Sequence, residues 1–309
     1  SARTLACVPD RVHLPRHAWR SRSSGGIPPA QSTDMIHCTV WNVAGEHLEL
    51  ELEPSRDIWS VKQAIASEWR MPATCQKIVL GRSVLQDKLH IGSICPGGET
   101  TLSLMLVISL DSLCSVLYGT RRRGQIEALG DLGVLGPRGG SAALTAVIGR
   151  LEDIHEDVRQ AAVRALKEVA HRGDPIAFAA VSARLEHEDP DVRRTVVEAL
   201  AQIALPGDQQ AVALVCTRLE DIHEDVRRSA VQALEQVAGR GNEQALALLL
   251  RLLRHQNGAV RRAALHALSR VVRHGDQRAV TAASECLERE NEISVRRSVV
   301  QALALVAAK

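Results

Sequence analysis

Apolar and polar positions repeat with a period of 34 residues through the second half of the chain. The stretch LEDIHEDVRQAAVRALKEVAHRGD at Leu151–Asp174 returns almost letter for letter as LEDIHEDVRRSAVQALEQVAGRGN at Leu219–Asn242. The leucines that open successive units are evenly spaced: Leu151, Leu185, Leu219, Leu253 and Leu287. A unit this short cannot bury its own apolar face, so the pattern predicts a stack of units, a solenoid.

Each unit is predicted to form two helices. In Leu151–Arg184 the first helix has an apolar stripe with the 3.6-residue period, formed by Val158, Ala161, Ala162, Ala165, Leu166 and Val169. Asp157 can cap this helix, and Gly173 fits the left-handed residue that ends it. Asp174 and Pro175 then suit the start of the second helix. The same Gly-Asp or Gly-Asn junction recurs in the three following units.

From Met35 the pattern has the two-residue period of strands. Ile36, Cys38 and Val40 alternate with more polar residues, and a turn at Gly45 leads into a second alternating run, which predicts a hairpin. A helix with Ile58, Val61 and Ile65 on one stripe follows, capped by Asp57 and stopped by Pro72. Two more short strands are predicted at Ile78–Leu80 and Leu102–Leu106.

The first 34 residues have no such periodicity. They are rich in Arg, Ser, Gly and Pro and basic overall, which predicts a disordered tail. The tail is either an upstream extension of uncertain origin or an organellar transit peptide. The predicted domains are therefore 1–34, a disordered basic tail; 35–108, an α+β domain; and 109–309, an all-α solenoid of about six repeats, the first degenerate and the last incomplete.

The 35–108 segment resembles ubiquitin-like domains. LELEPSRDIWSVKQAIA, MPATCQKIVLGRSVLQD and ETTLSLMLV match that family in order and spacing. The resemblance implies a β-grasp fold, a twisted sheet wrapped on one helix, and an apolar patch that binds partner proteins at Val43, Val79 and Met105. The alignment at Val79 can slip to Ile78, and some of these residues can instead fill the core or face the first repeat. No Gly-Gly terminus follows Ile108, so conjugation is not expected.

The pattern D-V-R-x-x-A/V-V-x-A-L of the solenoid resembles HEAT repeats, and most closely the short HEAT-like repeats of phycobilin lyases. That resemblance implies a concave face lined by the second helices. We expect the protein-binding positions on this face to be Ser182, Thr217, Leu250, Arg251, Arg254 and Glu285. Leu250, among charges and hydroxyls, is a candidate anchor.

The Asp and Arg residues of the repeated motif allow two interpretations. They either form a structural ladder that joins neighbouring units, which we favour, or provide a basic stripe for an acidic partner. The ladder residues are Asp157, Arg159, Asp191, Arg193, Asp225, Arg227, Arg261 and Arg296.

Neither composition nor motifs indicate catalysis. The formal charge of +2 argues against nucleic acid or membrane partners, and the seven cysteines include no CxxC pair. His-Glu pairs bind iron in the deoxyhypusine hydroxylases, which are HEAT-repeat proteins, but here His155-Glu156, His187-Glu188 and His223-Glu224 precede Val-Arg instead of following it. We therefore expect no catalytic residue, no metal site and no cofactor.

The sequence favours a non-enzymatic, cytoplasmic adaptor or scaffold that binds other proteins through both domains. The first alternative is a tetrapyrrole (bilin) lyase or chaperone-like protein, which rests on the repeat resemblance alone. The second is a purely structural spacer. The solenoid stops inside its sixth unit, leaving apolar Val300 and Leu305, so we expect either a longer solenoid or two chains meeting end to end.

Overall fold

A computed structural model of the 309-residue chain describes residues 35–95 and 100–307. The predicted tail, 1–34, lies outside the described residues. The strands are β1 (Ile36–Trp41), β2 (His47–Leu52), β3 (Gln76–Leu80), β4 (Ser83–Val84) and β5 (Thr101–Ile108). The helices are α1 (Ile58–Trp69), α2 (Asp111–Leu117), α3 (Arg122–Leu135), α4 (Gly140–Gly149), α5 (Glu156–Val169), α6 (Pro175–Ser182), α7 (Pro190–Ile203), α8 (Gln209–Arg218), α9 (Glu224–Ala238), α10 (Glu243–Leu252), α11 (Gly258–Val271), α12 (Gln277–Arg289) and α13 (Ile293–Val306).

The five strands form one mixed sheet in the order β2-β1-β5-β3-β4. Strand β1 runs parallel to β5, and the other pairs are antiparallel. Alternate residues of β1 point inward and are buried, as the period of two predicts. They share one core with the buried stripe of α1, whose Asp57 cap accepts a hydrogen bond from the Ser60 amide at 2.9 Å. The predicted hairpin and helix are both present.

The remaining helices form the repeat solenoid. We call α3, α5, α7, α9, α11 and α13 the first helices, and α4, α6, α8, α10 and α12 the second helices. The apolar stripe of the first helices is buried in every unit; Val158, Val192, Val226, Val260 and Val295 are at most 2% exposed. The predicted fold class, an α+β sheet domain followed by an all-α helical-repeat solenoid, is confirmed. None of the helices in the described ranges is long and apolar enough to cross a membrane.

The first helices form the tighter layer of the solenoid. They pack directly against one another along the whole array, whereas neighbouring second helices have few close backbone contacts. In a curved stack the inner layer has the shorter spacing, so the first helices line the inner side. The expectation that the second helices line the concave face is therefore wrong for this chain.

Helix ends in the solenoid differ in two respects from the prediction. Helix α5 ends at Val169 with the extended Ala170 as its cap residue, so Gly173, which has a φ of 80°, lies in the following turn and does not end the helix. Helix α5 begins at Glu156 with His155 at its cap position, so Asp157 does not cap it. Its carboxylate instead accepts hydrogen bonds from Arg122 Nε, at 2.7 and 2.6 Å. The second-helix prediction is correct, because Asp174 accepts hydrogen bonds from the Ile176 and Ala177 amides and Pro175 occupies the first turn.

The glycine of each junction joins one unit to the next. The Gly207 amide donates to the Val237 carbonyl, at the end of the next first helix, at 2.6 Å. Gly173, Gly241 and Gly275 make the equivalent bonds, to Ile203, Val271 and Val306, each at 2.7 Å. Gly207 has a φ of 82°, a conformation that glycine adopts without the cost other residues incur. This inter-unit bond explains why the junction repeats with the helices.

The sheet domain and the solenoid are in direct contact. Arg138, after α3, donates to the carbonyls of Trp69 and Arg70 at the end of α1, at 2.9 and 2.7 Å. Thr74 bonds Asp131 of α3 at 2.6 Å. Helix α2 packs beside the short 3-10 turn Ala73–Cys75, and its Leu113 and Leu117 are buried. The core is therefore continuous across the predicted boundary at residue 108.

Candidate protein-interaction surfaces

A row of side chains crosses all five strands on the outer face of the sheet. Trp41 in β1 is paired with His47 in β2 and with Met105 in β5. Met105 is paired with Val79 in β3, which is paired with Val84 in β4. Paired residues on one face of a sheet contact each other, so these five form a continuous strip, which we call the sheet row.

The sheet row is largely apolar and accessible. Trp41 is 40% exposed, Met105 49% and Val84 58%. The Trp41 and His47 rings lie 4.7 Å apart between centroids, which holds the indole in place. Exposed apolar residues that touch one another are characteristic of binding surfaces, whereas isolated ones are not.

Two of the three patch residues carried over from the ubiquitin-like resemblance, Val79 and Met105, belong to the sheet row. Val43 is 80% exposed in the turn that follows β1. Ile78 is fully buried and points to the core, so the alternative alignment at Ile78 is wrong. Trp41 and Val84 are not among the binding residues predicted from the sequence. The alternation of β1 could have predicted an outward-facing Trp41, because Trp41 alternates with the inward-facing Ile36, Cys38 and Val40.

The arginine of each Val-Arg pair holds the loop before its own helix. Arg193 Nη1 donates to the carbonyls of His187 and Glu188, at 2.7 and 2.8 Å. Arg159, Arg227 and Arg261 bind the carbonyls five and six residues before them in the same way, and Arg296 binds those of Glu290 and Leu287. These bonds satisfy carbonyls that would otherwise be unpaired.

Between units, the arginines of the Val-Arg pairs mostly bind acidic residues that are not members of the predicted ladder. Arg193 binds both oxygens of Asp221 in the next loop, at 2.7 and 3.0 Å, and Arg261 binds Glu290 at 2.7 Å. Hydrogen bonding by Arg261 lowers the pKa of Glu290. Within the predicted set, Asp191 lies 3.7 Å from Arg159, Asp157 pairs with Arg122, and Asp225 pairs with Arg228 of its own helix.

Four of the six predicted second-helix residues meet in one groove between α10 and α12. Leu250, Arg251, Arg254 and Glu285 line it. Arg254 pairs with Glu285 at 3.4 Å, and Leu250 is half-buried, so it is not a free anchor. Ser182 and Thr217 lie on α6 and α8, outside this groove, and the Thr217 hydroxyl donates to the Leu214 carbonyl.

The inner face of the solenoid has a larger groove, of about 660 Å³, between α9 and α11. Its floor is Val231, Ala259 and Ala263. Five arginines and two glutamates line it, which is a formal surplus of three positive charges: Arg227, Arg228, Arg240, Arg262, Arg270, Glu224 and Glu235. None of these residues is among the binding positions predicted from the sequence, where Arg227 is assigned to the structural ladder.

The His-Glu pairs lie at helix starts and in a loop. His155 and His223 occupy the cap positions of α5 and α9, and His187 accepts a hydrogen bond from the Asp189 amide. No group of three or more His, Cys, Asp or Glu residues in 35–95 and 100–307 is arranged to hold a metal ion. Burial raises the pKa of the Cys216 thiol to about 12, so the thiol stays protonated at neutral pH.

Comparison with known proteins gives one family match. The family model for HEAT repeats matches residues 141–235 and 217–304, together just over half of the 309 residues. No curated protein matches the chain. Among solved structures, two engineered proteins are similar at 21% identity: one covers 66% of this chain and all of its own with a TM-score of 0.39, and the other covers 64% and 96% with a TM-score of 0.36.

Proposed function

The chain belongs to the HEAT-repeat family, and on that premise we propose that it is a non-enzymatic adaptor that binds other proteins through a ubiquitin-like domain and a repeat surface. A stack of helical repeats has a long surface and no enclosed pocket, which suits binding more than catalysis. The five-stranded mixed sheet with one helix across it supports the ubiquitin-like assignment.

The sheet row is the observation that carries this proposal. It offers a flat apolar strip on a rigid sheet, with the large side chains Trp41 and Met105 at its centre. Aromatic residues and methionine are enriched at the cores of protein interfaces, and a few such residues supply most of the binding energy. A partner that covers Trp41 would remove the exposed part of its indole ring from water, which favours binding.

The test is capture of partners from lysate by the full chain, with two matched variants. Trp41→Glu with Met105→Glu places charge in the sheet row, whereas Val134→Glu places charge on α3 at an apolar position that is also exposed. We expect a stoichiometric partner to be recovered by the wild type and by Val134→Glu, and lost with the double variant. Recovery of no stoichiometric partner by the wild type would favour a structural spacer and contradict the proposal.

A further inference from the structure

The inner face of the solenoid changes charge along its length. Helices α5 and α7 carry equal numbers of acidic and basic residues, three of each in α5 and two of each in α7. Helix α11 has three arginines and α13 has two, and neither has any acidic residue. The basic half therefore lies at α11 and α13, although the whole chain is nearly neutral.

Loss of acidic residues at fixed repeat positions causes this change. The Glu224-Asp225 pair that opens α9 corresponds to Gly258-Ala259 in α11 and to Ile293-Ser294 in α13. Glu198 in α7 corresponds to His266 in α11 and to Gln301 in α13. The arginine that these acids would neutralise is nevertheless kept in both units.

The retained arginines are consequently without partners. Arg194 pairs with Glu156 at 2.8 Å and Glu198 at 3.2 Å, and Arg228 pairs with Glu224 at 3.1 Å. Arg262 and Arg297, at the same position in the last two units, make no ion pair or hydrogen bond with any described residue. Arg262 lines the large groove between α9 and α11.

Arg240 contributes further unneutralised charge to this groove. Its Nη1 lies 2.7 Å from His274 Nε2, and His274 Nδ1 lies 2.8 Å from the Leu305 carbonyl. A guanidinium group can only donate, so His274 Nε2 is the acceptor in its contact with Arg240 and brings no negative charge to it. No carboxylate in 35–95 and 100–307 forms an ion pair with Arg240, so the groove presents its positive surplus to solvent.

From this geometry we propose that the inner face of α9, α11 and α13 binds an extended acidic segment of a partner protein. The inference rests on the proposed protein-binding function and names the surface and the chemistry of the partner. Adjacent packed helices lie about 8–10 Å apart, so Arg228, Arg262 and Arg297 form a column with about that spacing. A segment in the extended polyproline II conformation rises about 3.1 Å per residue with three residues per turn, so acidic residues at every third position lie on one face, about 9 Å apart, and match the column.

The other end of the inner face, formed by α5 and α7 with the start of α9, disfavours binding of an acidic segment. A groove across α5, α7 and α9 is lined by four carboxylates and two guanidinium groups: Glu156, Asp191, Glu198, Asp225, Arg194 and Arg228. Its surplus of two negative charges repels an acidic peptide. The charge change along the solenoid therefore fixes where such a segment binds.

The test measures binding of a synthetic peptide to the full chain by fluorescence anisotropy. The probe is a labelled peptide of about twelve residues with Glu at every third position between Gly and Ser, the spacing of one face in the polyproline II conformation, and the matched peptide has the same composition with its Glu residues adjacent. The variant is Arg262→Glu with Arg297→Glu. The control variant, Arg164→Glu with Arg172→Glu, makes the same charge change at exposed arginines of the second unit that also lack partners in the described residues.

We expect the spaced peptide to bind more tightly than the clustered one, the test variant to lose about tenfold or more in affinity, and the control to keep it. Equal binding of the two peptides, or equal loss in both variants, would overturn the proposal. Concentration-dependent dimers in light scattering that the test variant abolishes would identify a second copy as the occupant and also overturn it. The lysate experiment separates this inference from the proposed function. If the captured partner is lost with Trp41→Glu and Met105→Glu but binds the Arg262→Glu, Arg297→Glu variant as tightly as the wild type, the proposed function is supported and the proposed acidic-segment site is contradicted.

Discussion

At the scale of single residues, the core of the solenoid is close-packed around a few leucines. Leu200 in α7 is fully buried, in the middle of the array. Replacing Leu200 with Ala removes its burial and leaves a cavity, so the free energy of unfolding should fall by about 2–5 kcal/mol. Urea unfolding measures this loss, and Val134→Ala, at an exposed position on α3, serves as the control. A loss below about 1 kcal/mol would show that Leu200 is not part of the core.

Asp221 is a buried carboxylate in the loop between α8 and α9, where it pairs with Arg193 of the preceding unit. Burial raises its pKa, but hydrogen bonds from Arg193 and the His223 amide outweigh that effect, so its pKa lies below the ordinary value of 3.8. The carboxyl and guanidinium side chains are only 4% and 10% exposed. Because the folded pKa is depressed, the stabilisation is present above the unfolded pKa and is lost as pH falls through the folded pKa.

Replacing Asp221 with Asn leaves Arg193 buried without a counter-charge, which should cost about 3 kcal/mol at pH 7. Urea unfolding at a series of pH values should show that the difference from wild type is constant near neutral pH and shrinks as pH falls through and below the ordinary aspartate value of 3.8. Asp225→Asn, at an exposed carboxylate, should have little effect at any pH. A loss for Asp221→Asn that does not change with pH would contradict a role for the charge.

The sequence could predict which residues are buried, but not which charges meet. Val158 and Leu166 have the period of a buried stripe, and that alone places them in the core. The partner of Arg193 is Asp221, in a loop of the next unit, and no local spacing indicates that pairing. Asp191 and Asp225, which the repeated motif suggested, lie on the exposed side of their helices. Such pairings depend on how units stack, which a single unit does not encode.

At the scale of elements, the junction between helices is where units connect. Gly207 has a φ of 82° and open space around its Cα, so an added methyl group would meet no neighbouring atom. Gly207→Ala should therefore destabilise only through backbone strain, by about 1–2 kcal/mol. Gly207→Asn should cost less, because Asn tolerates the left-handed region better. Thermal unfolding of both variants measures this order, and equal losses would contradict the strain argument.

The helix-start glutamates give a second prediction at this scale. Glu156 is 66% exposed where it pairs with Arg194, and Glu224 is 62% exposed where it pairs with Arg228. Exposed pairs contribute little, so replacing Glu156, Glu188 and Glu224 together with Gln should shift the melting temperature by no more than about 1–2 °C. Elemental analysis of the purified protein should find no stoichiometric iron or zinc. About one or two irons per chain would support the hydroxylase chemistry that the sequence analysis rejected.

At the scale of the whole molecule, the sequence predicted the order of the sheet domain and the solenoid, but not how their helices and strands pack together. The change from a two-residue to a 3.6-residue period marks the end of the sheet near Ile108. Which helix layer is inner depends on spacing between units, and the periodicity of one helix does not contain that information. The contact of Arg138 with the end of α1 likewise joins residues that are far apart in the chain.

Deletion of one repeat tests how the units couple. Removing 185–218, one period of 34 residues, brings Leu219 into the position of Leu185. The Gly173 amide can then donate to the Val237 carbonyl in place of the Ile203 carbonyl, because every junction makes the same bond. In a solenoid each unit contributes its own stability and that of its interfaces, so the shortened chain should remain helical with a lower urea midpoint. Amide hydrogen exchange in β1 and β5 should be unchanged, because Arg138 and α3, which contact the sheet domain, are kept. Complete loss of helicity in the shortened chain would contradict nearest-neighbour coupling of the repeats.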